Sequence, residues 1–222
     1  MASRLPLFPL RLVLFPSVHL PLHIIEPRYR RMLADCLAGD REFGILYRPE
    51  GIAERDIPPG HVGCIARVER AEMLSDGRSN ILVAGTARFA LERFEDTGTP
   101  YHVGQVTDVT DAAESAVTLA PLAAVVRALF VRVGTAARSL ADDGDALPDL
   151  PDDPALLGFA IAALIDMDIG ARQRLLASRS PASRLRDVEM LLAPAVDSLE
   201  SRAVVHVRAK SNGHGPQPES SG

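Results

Sequence analysis

Lysine is nearly absent. Of 24 basic residues, 23 are arginine and one is lysine, Lys210. A phosphate-cradling loop needs glycines ahead of a Lys-Ser or Lys-Thr pair. Although Ser211 follows Lys210, the preceding Val-Val-His-Val-Arg-Ala holds no glycine. The same scarcity leaves the expected core without a lysine for a Ser–Lys dyad. Two cysteines, Cys36 and Cys64, are too few for a disulfide scaffold or a Cys-rich zinc site, and buried hydrophobes are the expectation for both. Tryptophan is missing and aromatics make up 5% of the chain, so platforms for base stacking are poorly supplied. Long apolar runs are missing too. The longest stretch free of Asp, Glu, Lys and Arg, Leu12 to Ile25, is broken by Pro16 and Pro21, whereas a membrane span needs about 20 apolar residues. Pro6, Pro9 and Arg11 spoil the N-terminus as a signal peptide. A cytoplasmic protein with no membrane partner is the expectation. The net charge of −5 opposes nucleic acid as a partner.

The 222 residues, 47% of them hydrophobic, suffice for a core without metal or disulfide. Up to about residue 110 the pattern is that of strands. Leu5–Leu10 and Val18–Ile25 are apolar and punctuated by proline, Phe43–Arg48 is short, and Val62–Leu74 alternates near period two. Ser75-Asp76-Gly77-Arg78 supplies turn chemistry before the partner strand Ile81–Phe94, in which Gly85 marks a bulge or a close backbone approach. Tyr101–Val109 is a further strand. One helix interrupts them: Tyr29, Met32, Leu33, Cys36 and Leu37 form its apolar stripe, with Pro27 at its start and Gly39 at its end.

After residue 114 the period becomes helical. Leu119–Ala137 is one helix, and an acidic, proline-containing loop follows, Ala141–Asp153. Its aspartates do not match a calcium loop, because Gly144 and Ala146 stand where oxygen ligands belong. Asp153 and Pro154 open a helix, Ala155–Ile165, that is apolar almost all round. A short helix, Gly170–Ala177, and a last one opened by Ser180-Pro181 complete the pattern. The expected organisation is a β-rich part over residues 1–112, a helical part over 113–210, and a disordered tail over 211–222 rich in glycine, serine and proline. His19 and His23 lie four apart in an extended run, which is too little for a metal site. No Gly-x-Ser-x-Gly or His-Glu-x-x-His occurs. No catalytic, cofactor-binding or metal-binding residue is expected, and no cofactor.

Several segments, in order, resemble the N-terminal, substrate-binding domain of Lon proteases. They are Leu5-Pro-Leu-Phe-Pro-Leu, Leu14-Phe-Pro, and Leu20-Pro-Leu-His-Ile-Ile-Glu-Pro-Arg-Tyr-Arg, in which Ile25 replaces the usual Phe. Phe43-Gly-Ile-Leu, Val62-Gly-Cys-Ile-Ala-Arg-Val, Asp76-Gly77, Ile81-Leu-Val-Ala-Gly-Thr-Ala-Arg-Phe, Arg172-Gln-Arg-Leu-Leu and Arg184-Leu-Arg-Asp-Val-Glu-Met-Leu-Leu continue the series. The likeness spans residues 4 to 202 and is nearest to stand-alone bacterial forms without the ATPase and protease modules.

The resemblance implies an α+β fold: a PUA-like β pseudo-barrel with one packed helix, followed by a C-terminal α-helical bundle. It implies a non-catalytic module for protein or peptide segments, unfolded or damaged ones among them. An RNA-binding PUA-like module, or a component of ATP-dependent proteolysis by family label, are the alternatives. Apolar residues on the proline-rich loops are the expected peptide contacts: Phe15, Pro16 and Val18 on one, Ile52, Ile57, Pro58 and Pro59 on the other.

Overall fold

The computed structural model describes residues 3–212. The β-rich part contains β1 Ser3–Leu10, β2 His19–Ile24, α1 Pro27–Ala38, β3 Glu42–Tyr47, β4 Val62–Met73, β5 Ser79–Glu95 and β6 His102–Val109. A 3-10 turn, Glu54–Asp56, lies between β3 and β4 and has no periodic signal in the sequence. The helical part contains α2 Ala116–Ala141, α3 Pro154–Leu164, α4 Ile169–Ala177 and α5 Pro181–Asn212. The fold is mixed α+β, with six strands in one sheet and five helices among the described residues. Residues 213–222 of the expected tail lie outside the described residues, while Ser211 and Asn212 belong to α5.

The sheet order is β2-β5-β4-β3-β1-β6, and β6 pairs again with β5. All pairs are antiparallel except β1 with β3. The 17 residues of β5 make this possible. Its first part pairs with β2 and the end of β4, and its last part pairs with β6 from Arg88↔Val109 to Glu95↔Val103. Strands β5, β4, β3, β1 and β6 therefore form a closed ring of pairings, with β2 added along β5. Register shifts between Cys64 and Ala66, Val68 and Arg70, and Leu91 and Arg93 bend the strands that must curve.

The ring interior is filled by Leu5, Leu7, Leu46, Phe89, Leu91 and Val106. Its bore is narrow, and glycine supplies the room. A Cβ on Gly44 would lie 2.6 Å from Phe89 Cζ, and one on Gly63 would lie 2.5 Å from the same atom. A second core covers the outer side of the sheet. Strand β3 serves both: Phe43 and Ile45 join the outer core while Leu46 points into the ring. Tyr29, Met32, Leu33 and Cys36 of α1 enter the outer core, together with Val126, Leu157, Phe159, Leu185 and Val188 of the helices. One continuous apolar cluster thus joins the β-rich and helical parts.

Helices α2 and α5 run side by side in the same direction. Glu114, just ahead of α2, accepts hydrogen bonds from the Ser180 hydroxyl and the Ala182 amide at the start of α5. Farther along, Arg132 donates twice to Glu200 at 2.8 Å, and Lys210 pairs with Asp142 at 2.6 Å. Glu114 and Ala182, Arg132 and Glu200, and Asp142 and Lys210 are each 68 positions apart, so the register is constant along the pair. The only lysine is thereby an ion-pair partner near the end of α5.

Candidate functional site

The loop between β3 and β4 is held by one carboxylate. Arg28 at the start of α1 donates from Nη1 to Glu54 Oε2 at 2.5 Å and from Nη2 to Oε1 at 2.8 Å. The Tyr29 hydroxyl donates to Oε1 at 3.4 Å, and His102 Nε2 lies 2.6 Å from Oε2. Burial by itself would raise the Glu54 carboxyl, but the hydrogen bonds from Arg28 and His102 outweigh it and hold the group below the usual carboxylate range. The Glu26-Pro27-Arg28-Tyr29 segment therefore positions a loop rather than a reacting group.

That loop places Ile57 differently from the sequence expectation. Ile57 is 2% exposed and plugs the ring interior beside Leu46 and Phe89. The first loop corrects the expectation again. Phe15 is 1% exposed and stacks on Phe159 of α3, with centroids 5.5 Å apart. Pro16 is buried with it and Val18 is half-buried. The loop is clamped at the β5 bulge, where the Ser17 amide donates to Gly85 O at 2.8 Å and the Gly85 amide donates to Val18 O at 2.9 Å. A Cβ at Gly85 would lie 2.1 Å from Phe15 O, so this close approach requires glycine. Phe15, Pro16 and Ile57 are packing residues. Ile52, Pro58 and Pro59 remain exposed, and the seven candidates do not make one surface. Composition marked these loops as too apolar for solvent; Phe15, Pro16 and Ile57 are turned inward, while Ile52, Pro58 and Pro59 are not.

An apolar recess lies in the helical part. A groove of about 580 Å³ runs between α2, the 142–153 loop, the end of α3 and α5. Phe130, Val133, Leu147, Leu164, Leu191 and Leu192 line it, and Arg138 and Asp166 stand at its border. Leu164 and Leu191 are exposed although apolar. Gly134 lets Leu147 settle on α2, since a Cβ there would lie 2.7 Å from Leu147 Cδ2. Arg138 Nη1 is buried without a hydrogen-bond acceptor, and Asp143 Oδ2 lies 3.9 Å from it. The recess thus offers apolar walls, which suit apolar side chains, while Arg138 Nη1 is buried beside Asp143. The periodic apolar positions Leu185, Val188, Leu191, Leu192, Val196 and Leu199 were the available signal, but the sequence does not place them opposite the 142–153 loop.

Both cysteines and two of the histidines have structural surroundings. Cys36 and Cys64 are free and buried, and burial pushes both thiols up to about 12. His19 Nε2 lies 3.3 Å from Glu69 Oε1, and His23 Nδ1 lies 2.7 Å from Asn80 Oδ1. Among the described residues no group of three or more His, Cys, Asp or Glu is arranged to hold a metal ion.

Residues 4–193 match the family model of the ATP-dependent protease La (LON) substrate-binding domain. Lon protease 2 of Herpetosiphon aurantiacus is 30% identical over 199 residues, which cover 88% of this chain and 24% of that protein. Lon protease 2 of Bdellovibrio bacteriovorus is 26% identical over 213 residues, covering 94% of this chain and 26% of that protein. The chain spans about a quarter of the length of these curated relatives. Among solved structures, a Lon N-terminal domain protein from Xanthomonas campestris matches with a TM-score of 0.58 and 26% identity, covering 86% of this chain and 98% of that one. The N-terminal domain of Mycobacterium avium complex Lon protease has a TM-score of 0.62 over 84% of this chain and 96% of that one. At 18% identity it speaks for the fold alone.

Proposed function

The chain belongs to the ATP-dependent protease La (LON) substrate-binding domain family, and we propose that it is a non-catalytic cytoplasmic module that binds apolar segments of unfolded or damaged proteins. The observation that carries this reading is the groove between α2, α3 and α5, with exposed Leu164 and Leu191 on its walls. Apolar side chains of a bound segment fill the recess. Affinity in the micromolar range suits a shallow groove that must also offset the ordering of a flexible chain. Neither a cofactor nor a metal takes part.

In this reading the closed ring of strands is a PUA-like pseudo-barrel, and α2 to α5 are a helical bundle. Residues 1–112 and 113–210 are its two parts, with the first a scaffold on which the second is displayed. Ile52, Pro58 and Pro59 are secondary contacts at the far end of the ring.

The test is a titration of a fluorescently labelled, alkylated, permanently unfolded polypeptide and of a structured RNA, each at low and high salt. Polypeptide binding nearly independent of salt is expected, weakened at least tenfold by Leu164→Asp and by Leu191→Asp with melting unchanged. Tight RNA binding that falls steeply with salt, without polypeptide binding, overturns the reading.

A further inference from the structure

Helix α2 departs from the pattern of a surface helix. Its buried side carries Leu119, Ala123, Val126 and Phe130, and a helix so docked ordinarily turns charge to the solvent. The opposite side instead carries Val117, Pro121, Ala124, Ala128, Val131 and Thr135, all exposed. They recur at alternating steps of four and three, the seam spacing of two packed helices. None is ionisable, and Arg132 at the border is turned aside to Glu200. Toward its C-terminal end the stripe runs into a groove of about 660 Å³, where Val131 and Thr135 of α2 face Val204 and Val207 of α5. Toward its N-terminal end stands Val117, 85% exposed, more than any other large hydrophobic side chain among the described residues. A knob and a recess thus share one face, about 27 Å apart at 1.5 Å per residue.

We propose that this face is the interface of a two-fold homodimer, in which α2 packs antiparallel on α2 of a second copy. An isologous contact needs a surface complementary to itself, so that residue i meets j while j meets i. The stripe has this property. Turned end for end, it sets Val117 on Thr135, Pro121 on Val131 and Ala124 on Ala128 of the second copy. Each copy's Val117 then enters the other's recess, and alanines beside the axis allow close approach of the two backbones. No like charges meet along the seam. The size also fits. The 26 residues of α2 are about 39 Å long, and with α5 beside it, each helix about 10 Å wide, the face offers about 800 Å². That is about what each partner contributes to a stable interface of standard size. The face is separate from the groove proposed for polypeptide binding, so this inference does not depend on that reading.

Sedimentation equilibrium of the whole chain from about 1 to 100 μM tests it. Wild type should approach twice 23.8 kDa. Ala124→Glu and Ala128→Arg, both at exposed positions, should each weaken self-association at least tenfold with unchanged melting. Mixing the two variants should restore a dimer, because an introduced carboxylate then faces an introduced guanidinium. A wild type that stays monomeric, a dimer indifferent to either substitution, or a mixture that stays monomeric overturns the proposal. So does co-sedimentation with phosphatidylcholine vesicles in place of self-association, which would assign the face to a membrane.

Discussion

Arg184 and Asp111 face each other through two parallel hydrogen bonds, Nη1 to Oδ1 at 2.7 Å and Nη2 to Oδ2 at 2.6 Å. Asp111 belongs to the segment between β6 and α2, and Arg184 to the first turn of α5. Arg88 of β5 completes the junction by donating to Asp111 Oδ1 at 2.5 Å and to the Leu176 and Ser178 carbonyls. Phe159 lies under both guanidiniums, 4.1 Å from that of Arg184 and 5.4 Å from that of Arg88. Sheet, connector and helical part therefore meet at one polar junction inside an apolar cluster.

Removing one member of this junction is expected to cost more than the junction contributes. Arg184→Met leaves Asp111 short of its bidentate partner and the Ser178 and Ala155 carbonyls short of a donor. A loss of about 3 kcal/mol is expected from the lost charge-assisted hydrogen bonds, with Arg88 still compensating the Asp111 charge. Urea unfolding measures it, and a midpoint unchanged from wild type would show that the junction is not under tension from burial.

The junction also sets an acid limit. Burial alone would raise the Asp111 carboxyl, but hydrogen bonding and charge from Arg184 and Arg88 outweigh it and hold the group below its ordinary 3.8. A carboxyl lowered on folding adds stability that is complete above the unfolded value and is lost as pH falls through the folded one. Wild-type melting temperature should therefore fall more steeply than that of Asp111→Asn as pH drops below about 4. Parallel profiles for the two proteins would contradict the assignment.

Two glycines should respond oppositely to alanine. A Cβ at Gly63 meets Phe89 Cζ at 2.5 Å and the Ile45 carbonyl oxygen at 2.6 Å, and the backbone atom cannot swing away. Gly63→Ala should destabilise by about 2 kcal/mol through overpacking of the ring. At Gly134 the nearest atoms are the tip of the Leu147 side chain in a loop, which can move. Gly134→Ala should be neutral or gain up to about 1 kcal/mol from helix propensity. Calorimetric melting of the pair decides it, and equal effects would refute the narrow bore.

Periodicity carried much of the secondary structure because each segment is amphipathic toward its own neighbour. Phe43 and Ile45 alternate with Leu46 whatever the strand order, and Tyr29, Met32 and Leu33 share a face in any helix. Asp153 and Pro154 mark a helix start through local backbone chemistry, and the Asp153 side chain does cap the Ala155 amide. The candidate contacts were less legible. Phe15 and Ile57 lie in proline-rich loops, where no period tells inward from outward. Their burial follows from the Gly85 clamp and the Glu54 tie to Arg28, made by residues 70 positions from Phe15 and 29 from Ile57.

What the sequence by itself determined are the local and compositional properties: which segments are strands or helices, where caps and turns fall, and that a lone lysine leaves no phosphate-cradling loop. Those follow from forces acting within a few residues. Closure of the ring on β5, the burial of Arg88 and Arg184 against Asp111, and the apolar side of α2 left facing solvent were decided only by tertiary structure. Each depends on which surfaces meet across long stretches of chain, and an apolar residue carries the same transfer free energy whether the fold covers it or leaves it for a partner.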